Sequence, residues 1–281
     1  MKTLQQLLER GTEQLVNEGI EDAKLDAWYL MEFVFSIDRV KYLMEKARIV
    51  EKDTEQEYMQ LIAERASHVP LQHIIGTQEF MGFSFCVNKH VLIPRQDTEL
   101  LVEEVLKQAN DAEILDMCTG SGCIAISLKK LGKARTVTAV DISPEALKVA
   151  RGNGVRLCAE IHWIESDLFT NVTGKYDIIV SNPPYIETRE IEALMPEVKE
   201  HEPILALDGA EDGLWFYRKI TRESKGYLKA NGMLCYEIGY NQGNAVKKIM
   251  EENGFCEVEV FKDLAELDRV VCGYLQEAGS C

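Results

Sequence analysis

The stretch YDIIVSNPPYI, residues 176–186, joins a short apolar run to a stiff polar loop. The run IIV at 178–180 is β-branched, which is typical of a buried strand in a parallel sheet. The two prolines that follow have no N–H group to donate to a sheet ladder, so the strand must end at Ser181 or Asn182. In open α/β sheets, ligands bind at the carboxyl ends of the strands. The stretch therefore predicts a buried strand with a ligand-binding loop at its end.

The loop formed by Asn182, Pro183, Pro184 and Tyr185 carries atoms that suit a planar amino group. Asn182 offers a side-chain carbonyl, and its position before a proline holds it extended, so that the Pro183 carbonyl can point outward as a second acceptor. Tyr185 supplies a flat face. Two acceptors would bind both hydrogens of an –NH2 group and favour the pyramidal form that attacks an electrophile. A plain proline turn is the alternative interpretation of these four residues.

This N-P-P-Y loop resembles the catalytic motif of amino-group methyltransferases that use S-adenosylmethionine. Enzymes of that kind act on exocyclic amines of nucleic-acid bases or on the side-chain amide of glutamine. The resemblance implies that residues 182–185 bind the target amine and act catalytically.

Composition indicates an ordinary globular chain and argues against some partners. The chain has 281 residues, of which 46% are hydrophobic and 28% charged, and its net charge is −16 with a pI near 4.9. Such acidity argues against an extended grip on nucleic acid, which needs Lys and Arg against phosphates, so we expect no direct nucleic-acid binding. No apolar run is long enough to span a membrane and the start lacks a signal-peptide core. We therefore expect a cytoplasmic protein.

The cysteines and histidines show no metal-ligand spacing. The chain has eight cysteines, none in a Cys-x-x-Cys pair, and five scattered histidines. Several cysteines lie in strand-like apolar runs, so we interpret them as reduced core thiols rather than as zinc ligands or disulfides. We assign no residue to a metal site.

Apolar periodicity divides the chain into three parts. Residues 1–76 show helical spacing, and we predict helices over 3–18, over 22–35, from Ser36 or Asp38 to Met44, and from Asp53 or Thr54 onward. Residues 77–90 read as a linker built on a β-hairpin, with aromatic residues around Gly82. Residues 91–281 form the third part. It opens with a helix for which Asp97 or Thr98 is the expected cap.

Strands and helices alternate through the third part, which predicts a parallel sheet with helices on both faces. Strands are expected at 114–116, 136–141, 161–165, 178–180 and 233–238, and an antiparallel pair at 256–261 and 269–274. Helices are expected at 124–130, at 144–153 after the Ser143 N-cap, and at 242–253.

Three strand ends in this region suit one adenosine-containing ligand. The glycine turn after the first strand lets a ligand approach the backbone closely, and its residues are Cys118, Thr119, Gly120, Ser121 and Gly122. Asp141 ends the second strand about 20 residues on, where a carboxylate binds a ribose diol. Asp167 follows the third strand and would accept from an adenine N6, while Leu168 would cover the ring. The alternative for Asp167 is a turn or helix cap.

With the N-P-P-Y loop after the fourth strand, these elements resemble class I S-adenosylmethionine methyltransferases. The segments PLQHIIGTQEFMG, IPRQDTELLVE, NPPYI, EPILALDGAEDGLWFYRKI and LCYEIGYNQG are similar to those of bacterial peptide chain release factor N5-glutamine methyltransferases, in the same order. That resemblance implies an α/β fold with a Rossmann-like seven-stranded sheet whose last strand is antiparallel. It also implies a small all-helical N-terminal domain and a β-hairpin linker.

The family resemblance also implies a reaction, a cofactor and a partner. The expected substrate is the glutamine in the Gly-Gly-Gln motif of class I peptide chain release factors, methylated on its side-chain amide. S-adenosyl-L-methionine would lie against residues 118–122, Asp141, Asp167, Leu168 and Asn182, and no metal is expected. Cys118 departs from the glycine common in class I enzymes. Arg95, Glu202 and Pro203 either shape the substrate side or buttress the loop.

Three other functions remain open at this point. The chain resembles glutamine methyltransferases that act on a ribosomal protein almost as closely, and only the N-terminal region would decide. A nucleic-acid amino-methyltransferase should bring a basic recognition surface, which this acidic composition does not suggest. A non-catalytic cofactor-binding adaptor would have no need for the intact N-P-P-Y loop.

Overall fold

The computed structural model describes residues 2–276 of the chain. These residues form two compact units. One comprises the described residues up to Thr77 together with Met195–His201, and the other comprises Gln78–Leu194 and the described residues from Glu202 onward. The domain bounds 1–76, 77–90 and 91–281 stay predictions.

All of the predicted helices and all of the predicted strands are confirmed, with shifted ends. The helices are α1 (Leu4–Asn17), α2 (Ala23–Phe35), α3 (Arg39–Glu45), α4 (Lys52–Ala66), α5 (Leu71–Ile75), α6 (Asp97–Leu106), α7 (Cys123–Leu131), α8 (Pro144–Arg156), α9 (Pro196–His201), α10 (Trp215–Ser224) and α11 (Gly243–Glu252). The strands are β1 (Thr77–Phe80), β2 (Phe83–Cys86), β3 (Glu113–Met117), β4 (Thr136–Asp141), β5 (His162–Glu165), β6 (Tyr176–Ser181), β7 (Leu228–Glu237), β8 (Phe255–Lys262) and β9 (Asp268–Leu275).

The first unit is helical, as the apolar spacing predicts, and its ends are set by local bonds. Thr3 and Gln6 form a reciprocal capping box at the start of α1. A buried ion cluster joins three helices, because Arg65 of α4 donates to Asp26 of α2 over 2.6 Å and to Glu197 of α9 over 2.5 Å. Burial raises the pKa of Asp26, against the lowering effect of Arg65. Removing the arginine would leave a buried carboxylate unpaired, which is costly.

The hairpin β1–β2 is confirmed as a two-stranded sheet. Phe80 and Phe85 are both buried and pack edge to face with ring centroids 6.1 Å apart. Gly82 in the turn has φ +75°, a conformation that glycine adopts without a steric penalty.

The second sheet has seven strands in the order β5-β4-β3-β6-β7-β9-β8. Strand β9 runs antiparallel to both of its neighbours, and the pairs from β5 to β7 are parallel. The predicted seven-stranded sheet with an antiparallel last strand is therefore confirmed. The strand order reverses between β3 and β6, and this switch point is where doubly wound sheets bind ligands. The glycine turn and the N-P-P-Y loop leave β3 and β6 there side by side.

Helices cover both faces of this sheet, because successive strand residues point to opposite sides. Ile114 belongs to the apolar cluster that includes α6 and α7, whereas the next residue, Leu115, belongs to the cluster that includes α10 and α11. Both residues are fully buried. Two separate cores therefore hold the carboxyl ends of the strands in fixed positions.

Two helix starts show where capping predictions succeed and fail. The Ser143 side chain accepts from the Ala146 N–H and Pro144 takes the first helical position, as predicted. The predicted cap of α6 is wrong, since Gln96 stands at the N-cap and no side-chain cap bond forms. Asp97 pairs with Arg269 over 3.1 Å instead, and Thr98 is buried inside the fold. Tertiary contacts outcompete the local cap.

The segment between β6 and β7 holds structure that periodicity did not predict. It contains α9, α10 and two 3₁₀ turns, at Thr188–Ala193 and Ile204–Ala206. Helix α5 was not predicted either. These pieces are too short or too irregular to give a clear periodic signal.

The prediction that the cysteines are reduced is wrong for Cys235 and Cys272, whereas the five other described cysteines are free thiols. Cys235 and Cys272 face each other across β7 and β9 and form a disulfide. Cys86 and Cys158 are exposed thiols, and Cys123 is the buried free thiol among the described residues. The disulfide depends on strand register across 37 residues, which spacing in the sequence does not reveal. Cys281 lies outside the described residues.

Residues 2–276 include no helix with the length and apolarity needed to cross a bilayer. The same residues hold no group of three or more His, Cys, Asp or Glu side chains placed to bind a metal ion. The expectation of a metal-free reaction stays a prediction.

Candidate active site

A cavity of about 330 Å³ opens at the carboxyl ends of β3, β4 and β6 in the second unit. Its size and its largely apolar wall are typical of small-ligand sites. The sequence-predicted residues that line it are Cys118, Thr119, Gly120, Ser121, Asp141, Asp167, Leu168, Asn182 and Pro184. Residues from four separate strand ends therefore meet in one cavity.

The glycine turn is held open by unusual backbone conformations. Gly120 has φ +54°, and a Cβ at this position would meet nothing within 4 Å, so backbone faces open space there. Cys118 has φ +63°, which is uncommon for a residue with a side chain and explains why glycine suits this position. The Thr119 hydroxyl donates to the Asp116 carboxylate over 2.5 Å and fixes the turn from below.

Asp116 is a buried carboxylate under this turn that the sequence analysis did not select. Its Oδ2 accepts from Thr119 and from the Ala125 N–H, but its Oδ1 is buried without a hydrogen-bond partner. Burial raises the pKa of Asp116 to about 7, and the bonds from Thr119 and Ala125 oppose this shift. An unpaired buried oxygen beneath the turn is a place where a ligand or water can donate.

Asp141 faces the cavity from the end of β4 and also braces the glycine turn. Its Oδ2 accepts from the Gly120 N–H and its Oδ1 from the Ser143 N–H, each over 2.9 Å. A carboxylate has further lone pairs that can accept from two hydroxyl groups. Burial raises the pKa of Asp141, and the backbone N–H groups oppose that. The arrangement suits a ribose diol.

Asp167 and Leu168 come together at the end of the cavity near β5. The Asp167 carboxylate is exposed and lies 3.6 Å from the Lys219 ammonium of α10, so it has a cationic neighbour as well as an open side. Leu168 is buried. The alternative role of Asp167 as a cap is seen in its backbone carbonyl, which accepts from the Thr170 N–H and hydroxyl, and not in its carboxylate.

Gly122, although part of the turn, does not line the cavity. It has φ +81°, and a Cβ there would lie 3.0 Å from the Trp163 ring and 3.2 Å from the Ala150 side chain. The absence of a side chain therefore lets α7 begin against α8 and β5. Its assignment as a cofactor contact stays a prediction.

The N-P-P-Y loop presents some of its residues to the cavity and holds the others behind it. Asn182 and Pro184 line the cavity, whereas Pro183 and Tyr185 do not. The Asn182 Nδ2 donates to the Thr98 Oγ1 over 3.4 Å. The Tyr185 hydroxyl donates to Glu237 Oε1 over 3.3 Å. Burial, and then the neighbouring Glu237, raise the pKa of the Tyr185 hydroxyl, so it stays protonated.

Two glycines and a glutamine brace this loop through the backbone of Tyr185. Gln242 Nε2 donates to the Tyr185 carbonyl over 3.0 Å and to the Gly213 carbonyl over 3.4 Å. A Cβ on Gly209 would lie 2.7 Å from the Tyr185 Cα, and one on Gly213 would overlap the Tyr185 carbonyl oxygen. The stretch LDGAEDG is therefore packed directly against the end of the loop.

Gly213→Ala is expected to reduce the rate of the methyl transfer predicted from the sequence at least tenfold. The affinity for the cofactor is expected to stay within about twofold of the wild type. The added methyl group must push Tyr185 and residue 213 apart, and the native φ of +68° penalises alanine further. Steady-state kinetics and calorimetric titration of S-adenosylhomocysteine would measure the two effects.

The matched control for this prediction is Gly152→Ala on the exposed side of α8. A Cβ at Gly152 meets nothing within 4 Å, so we expect unchanged transfer and a free energy of unfolding higher by about 0.5–1 kcal/mol. Equal transfer rates in both variants would contradict the bracing role of Gly213.

Arg95 and Pro203 form part of the same wall, and Glu202 is bonded to Arg95. Arg95 Nη2 lies 2.7 Å from Glu202 Oε1, and the Glu202 side chain is fully buried. Arg95 and Pro203 both line the cavity. The ion pair between Arg95 and Glu202 therefore holds the start of α6 against the segment after α9, which supports the interpretation that these two residues buttress the loop.

Several residues of the site were not predicted from the sequence. Trp215 and Phe216 of α10 line the cavity, and Thr98 and Glu237 contact the N-P-P-Y loop. Glu237 alone had a readable signal, an acidic residue at the end of the apolar run MLCY. The others depend on packing between elements far apart in the chain.

Comparisons with known proteins agree with this geometry. Residues 6–76 match a family model described as the PrmC N-terminal domain, and residues 95–210 match one described as the methyltransferase small domain. The release factor glutamine methyltransferase of Geobacter sulfurreducens is 40% identical over 273 residues, covering 96% of each chain. That of Clostridium acetobutylicum is 42% identical over 254 residues, covering 88% of this chain and 89% of the relative.

The fold has counterparts among solved structures. A methyltransferase from Pyrococcus furiosus has a TM-score of 0.54 at 17% identity, covering 70% of this chain and 90% of that one. At this identity the likeness concerns the fold alone. The two full-length relatives decide the family: this chain belongs to the release factor glutamine methyltransferases.

Proposed function

We propose that this protein transfers a methyl group from S-adenosylmethionine to the side-chain amide nitrogen of the glutamine in the Gly-Gly-Gln motif of class I peptide chain release factors. The observation that carries the proposal is the N-P-P-Y loop at the sheet's switch point, where Asn182 lines the same cavity as the glycine turn and Asp141. Family membership names the substrate class.

The cavity fits the cofactor in its chemistry as well as in its size. Asp141 would accept from the ribose hydroxyls, and Gly120 lets the ligand lie against backbone. The unpaired Oδ1 of Asp116 is a buried acceptor beside the turn, suited to a cationic amino group. Leu168 would cover the adenine ring and Asp167 would accept from its amino group. When bound, S-adenosylmethionine supplies a methyl group already activated by its sulfonium.

The protein's own task is then to place and orient the amide nitrogen. Asn182 Oδ1 would accept one hydrogen of the substrate's –NH2 group, and the Pro183 carbonyl, although Pro183 is outside the cavity lining, stays the proposed acceptor for the other. Together the two bonds would draw the nitrogen lone pair out of conjugation. Positioning of this kind supplies about 7–11 kcal/mol by avoiding entropy loss in the transition state. We assign no side chain among residues 2–276 as a general base, and we expect the proton to leave the nitrogen after transfer.

The remaining assignments follow from this reaction. A release-factor substrate places the protein in translation termination, and we expect it to act in the cytoplasm without direct binding to nucleic acid. The net charge of −16 is consistent with a protein partner rather than a phosphate backbone. Within the chain, we propose that residues 1–76 form a helical domain, 77–90 a linker and 91–281 the methyltransferase domain.

A labelling experiment would test the substrate class. Purified protein with methyl-labelled S-adenosylmethionine would be incubated in parallel with a class I release factor, with ribosomal proteins and with tRNA or DNA. We expect label in the release factor and none after its Gly-Gly-Gln glutamine is replaced by glutamate. Label in a ribosomal protein or a nucleic acid, with none in the release factor, would refute the proposal.

A further inference from the structure

Asn153 of α8 is a buried polar residue that the proposed mechanism does not use. Its side chain is fully buried and does not line the cavity. Within residues 2–276 its amide makes three hydrogen bonds. Nδ2 donates to the Ser121 carbonyl and to the Cys86 carbonyl, each over 3.0 Å, and Oδ1 accepts from the Cys86 N–H over 2.8 Å. Asn153 therefore acts on a ligand through the backbone at residues 86 and 121.

The partners of this amide leave it one orientation. Two of them are backbone carbonyls, which only accept, and the third is an N–H group, which only donates. The –NH2 group must face the two carbonyls, and Oδ1 must face the N–H. Both amide hydrogens are thus satisfied by the backbone, and a buried polar group satisfied in this way is rigid.

The Ser121 carbonyl belongs to the glycine turn. The peptide unit between Ser121 and Gly122 is fixed at both ends, because its N–H donates to the Thr119 carbonyl over 2.9 Å and its carbonyl accepts from Asn153. Ser121 lines the cavity. Gly120 and Gly122 on either side have positive φ and would be free to adopt other conformations. Asn153 therefore fixes a turn that its own sequence leaves flexible.

The other partner, Cys86, ends β2 and precedes a second wall of the cavity. Bonding to both the N–H and the carbonyl of one residue is what a neighbouring strand does, so the Asn153 amide takes the place of a strand beside Cys86. The chain then packs on α8, where Val87 and Val91 form an apolar cluster with Ala146. The residues of this wall that line the cavity are His90, Val91, Leu92, Pro94 and Arg95.

We propose that Asn153 is a positioning residue for S-adenosylmethionine. One hydrogen of its amide holds the glycine turn and the other holds the start of the wall at 90–95, so one rigid side chain sets the separation of two walls of the cavity. The inference rests on the proposed function, because it takes S-adenosylmethionine as the ligand of this cavity. It goes beyond that function by assigning a residue that never touches the ligand.

The hydrogen-bonding capacity of asparagine is what this position requires. Aspartate has the same shape, but an ionised carboxylate donates nothing and would face two carbonyls. Alanine would leave the buried Ser121 carbonyl without its donor. A buried acceptor without a partner is unfavourable, so we expect the turn to shift until the carbonyl is paired again.

The contacts of Asn153 predict a difference between cofactor binding and methyl transfer. Its amide bonds to the glycine turn and to β2, whereas the N-P-P-Y loop is held by other residues, Gln242 among them. Loss of Asn153 should raise the KM for S-adenosylmethionine, while kcat at saturating cofactor stays within about threefold of the wild type. A fall in kcat as large as the rise in KM would overturn the proposal.

Asn153→Asp tests the proposal with the smallest change of shape. Calorimetric titration of S-adenosylhomocysteine, well below the melting temperature of each variant, is expected to give a dissociation constant at least about tenfold above that of the wild type. The matched control is Asn253→Asp at the end of α11, outside the cavity lining, where Asn253 Nδ2 donates to the Ile249 carbonyl over 2.8 Å. We expect its affinity to stay within about twofold of the wild type, although a negative charge at a helix C-terminus destabilises the fold.

Melting curves with and without S-adenosylhomocysteine distinguish positioning from a general loss of stability. Both variants should melt below the wild type without ligand. Asn153→Asp should also lose most of the rise in melting temperature that a fixed ligand concentration produces, because that rise depends on the dissociation constant. A wild-type dissociation constant in Asn153→Asp would overturn the proposal.

Asn153→Ala serves if the buried charge of aspartate prevents folding. It removes both donors without adding a charge, and alanine suits a helix interior. We expect the same weakening of cofactor binding and the same difference between KM and kcat. Wild-type affinity in this variant would equally overturn the proposal.

The titrations need no methyl acceptor, so they separate this inference from the proposed function. If the wild type and Asn153→Asp bind S-adenosylhomocysteine equally well, the inference fails, whatever substrate is methylated. If their affinities differ as expected but no release factor is labelled, only the proposed acceptor is refuted. A wild type that binds no S-adenosylhomocysteine would refute both.

Discussion

Asn182→Ala is expected to lower kcat by about 100- to 1,000-fold, the usual cost of removing one oriented polar group from a transition state. The variant loses the side-chain acceptor at the switch point of the sheet, while the fixed backbone of Pro183 and Pro184 stays. The affinity for S-adenosylhomocysteine is expected to change by no more than about threefold, because most of the cofactor wall comes from other strand ends.

Asn110→Ala is the matched control for this variant. Asn110 lies in an exposed turn between α6 and β3 and does not line the cavity. We expect wild-type kinetics from it. Wild-type turnover in Asn182→Ala would remove the central residue from the proposed mechanism, and loss of cofactor affinity equal to the loss of kcat would reassign Asn182 to the cofactor.

Asp141→Ala is expected to weaken binding of S-adenosylmethionine by about 100-fold or more, since charge-assisted hydrogen bonds contribute about 1.5–3 kcal/mol each. Two effects combine in this variant. The ribose hydroxyls lose their acceptor, and the Gly120 and Ser143 N–H groups lose the carboxylate that holds the turn. Calorimetric titration gives the dissociation constant directly.

Asp141→Asn keeps the shape of this side chain but removes its charge. Its –NH2 group would face either the Gly120 N–H or the Ser143 N–H, so that two donors meet and one hydrogen bond is lost. We expect it to bind cofactor nearly as poorly as Asp141→Ala. Asp53→Ala, in the exposed first turn of α4, removes a carboxylate far from the cavity lining and serves as the control. Unchanged affinity in both Asp141 variants would exclude Asp141 from the cofactor site.

The parts of the fold that the sequence predicted are those with strong local signals. The β-branched run at 178–180, stopped by two prolines, predicted β6 and its end, and Ser143-Pro144 predicted the start of α8. These signals depend on residues within one turn or one strand. They were sufficient to place the glycine turn, Asp141 and the N-P-P-Y loop at one edge of the sheet.

The parts that the sequence did not predict depend on contacts between distant residues. Thr98 lies 84 residues before Asn182, with which it bonds, and Glu237 lies 52 residues after Tyr185. The Cys235–Cys272 disulfide requires the register of β7 and β9. Asp97 was expected to cap α6 but pairs with Arg269 of β9. In each case a tertiary partner, absent from the local pattern, decides what the side chain does.

The N-P-P-Y loop after β6 was also predicted only in part from the sequence. The sequence predicted that residues 182–185 face a ligand, and the structure divides them: Asn182 and Pro184 line the cavity, and Tyr185 is held behind it by Glu237 and Gln242. Residue type identified the chemistry of the loop. Its orientation comes from elements that periodicity did not connect to it.

Tandem mass spectrometry of a class I release factor, after incubation with the protein and S-adenosylmethionine, tests the central claim most directly. The account predicts one added methyl group, located by fragmentation on the side-chain amide nitrogen of the Gly-Gly-Gln glutamine, and none with Asn182→Ala. A methyl group on another residue, or none despite measured cofactor binding, would contradict it.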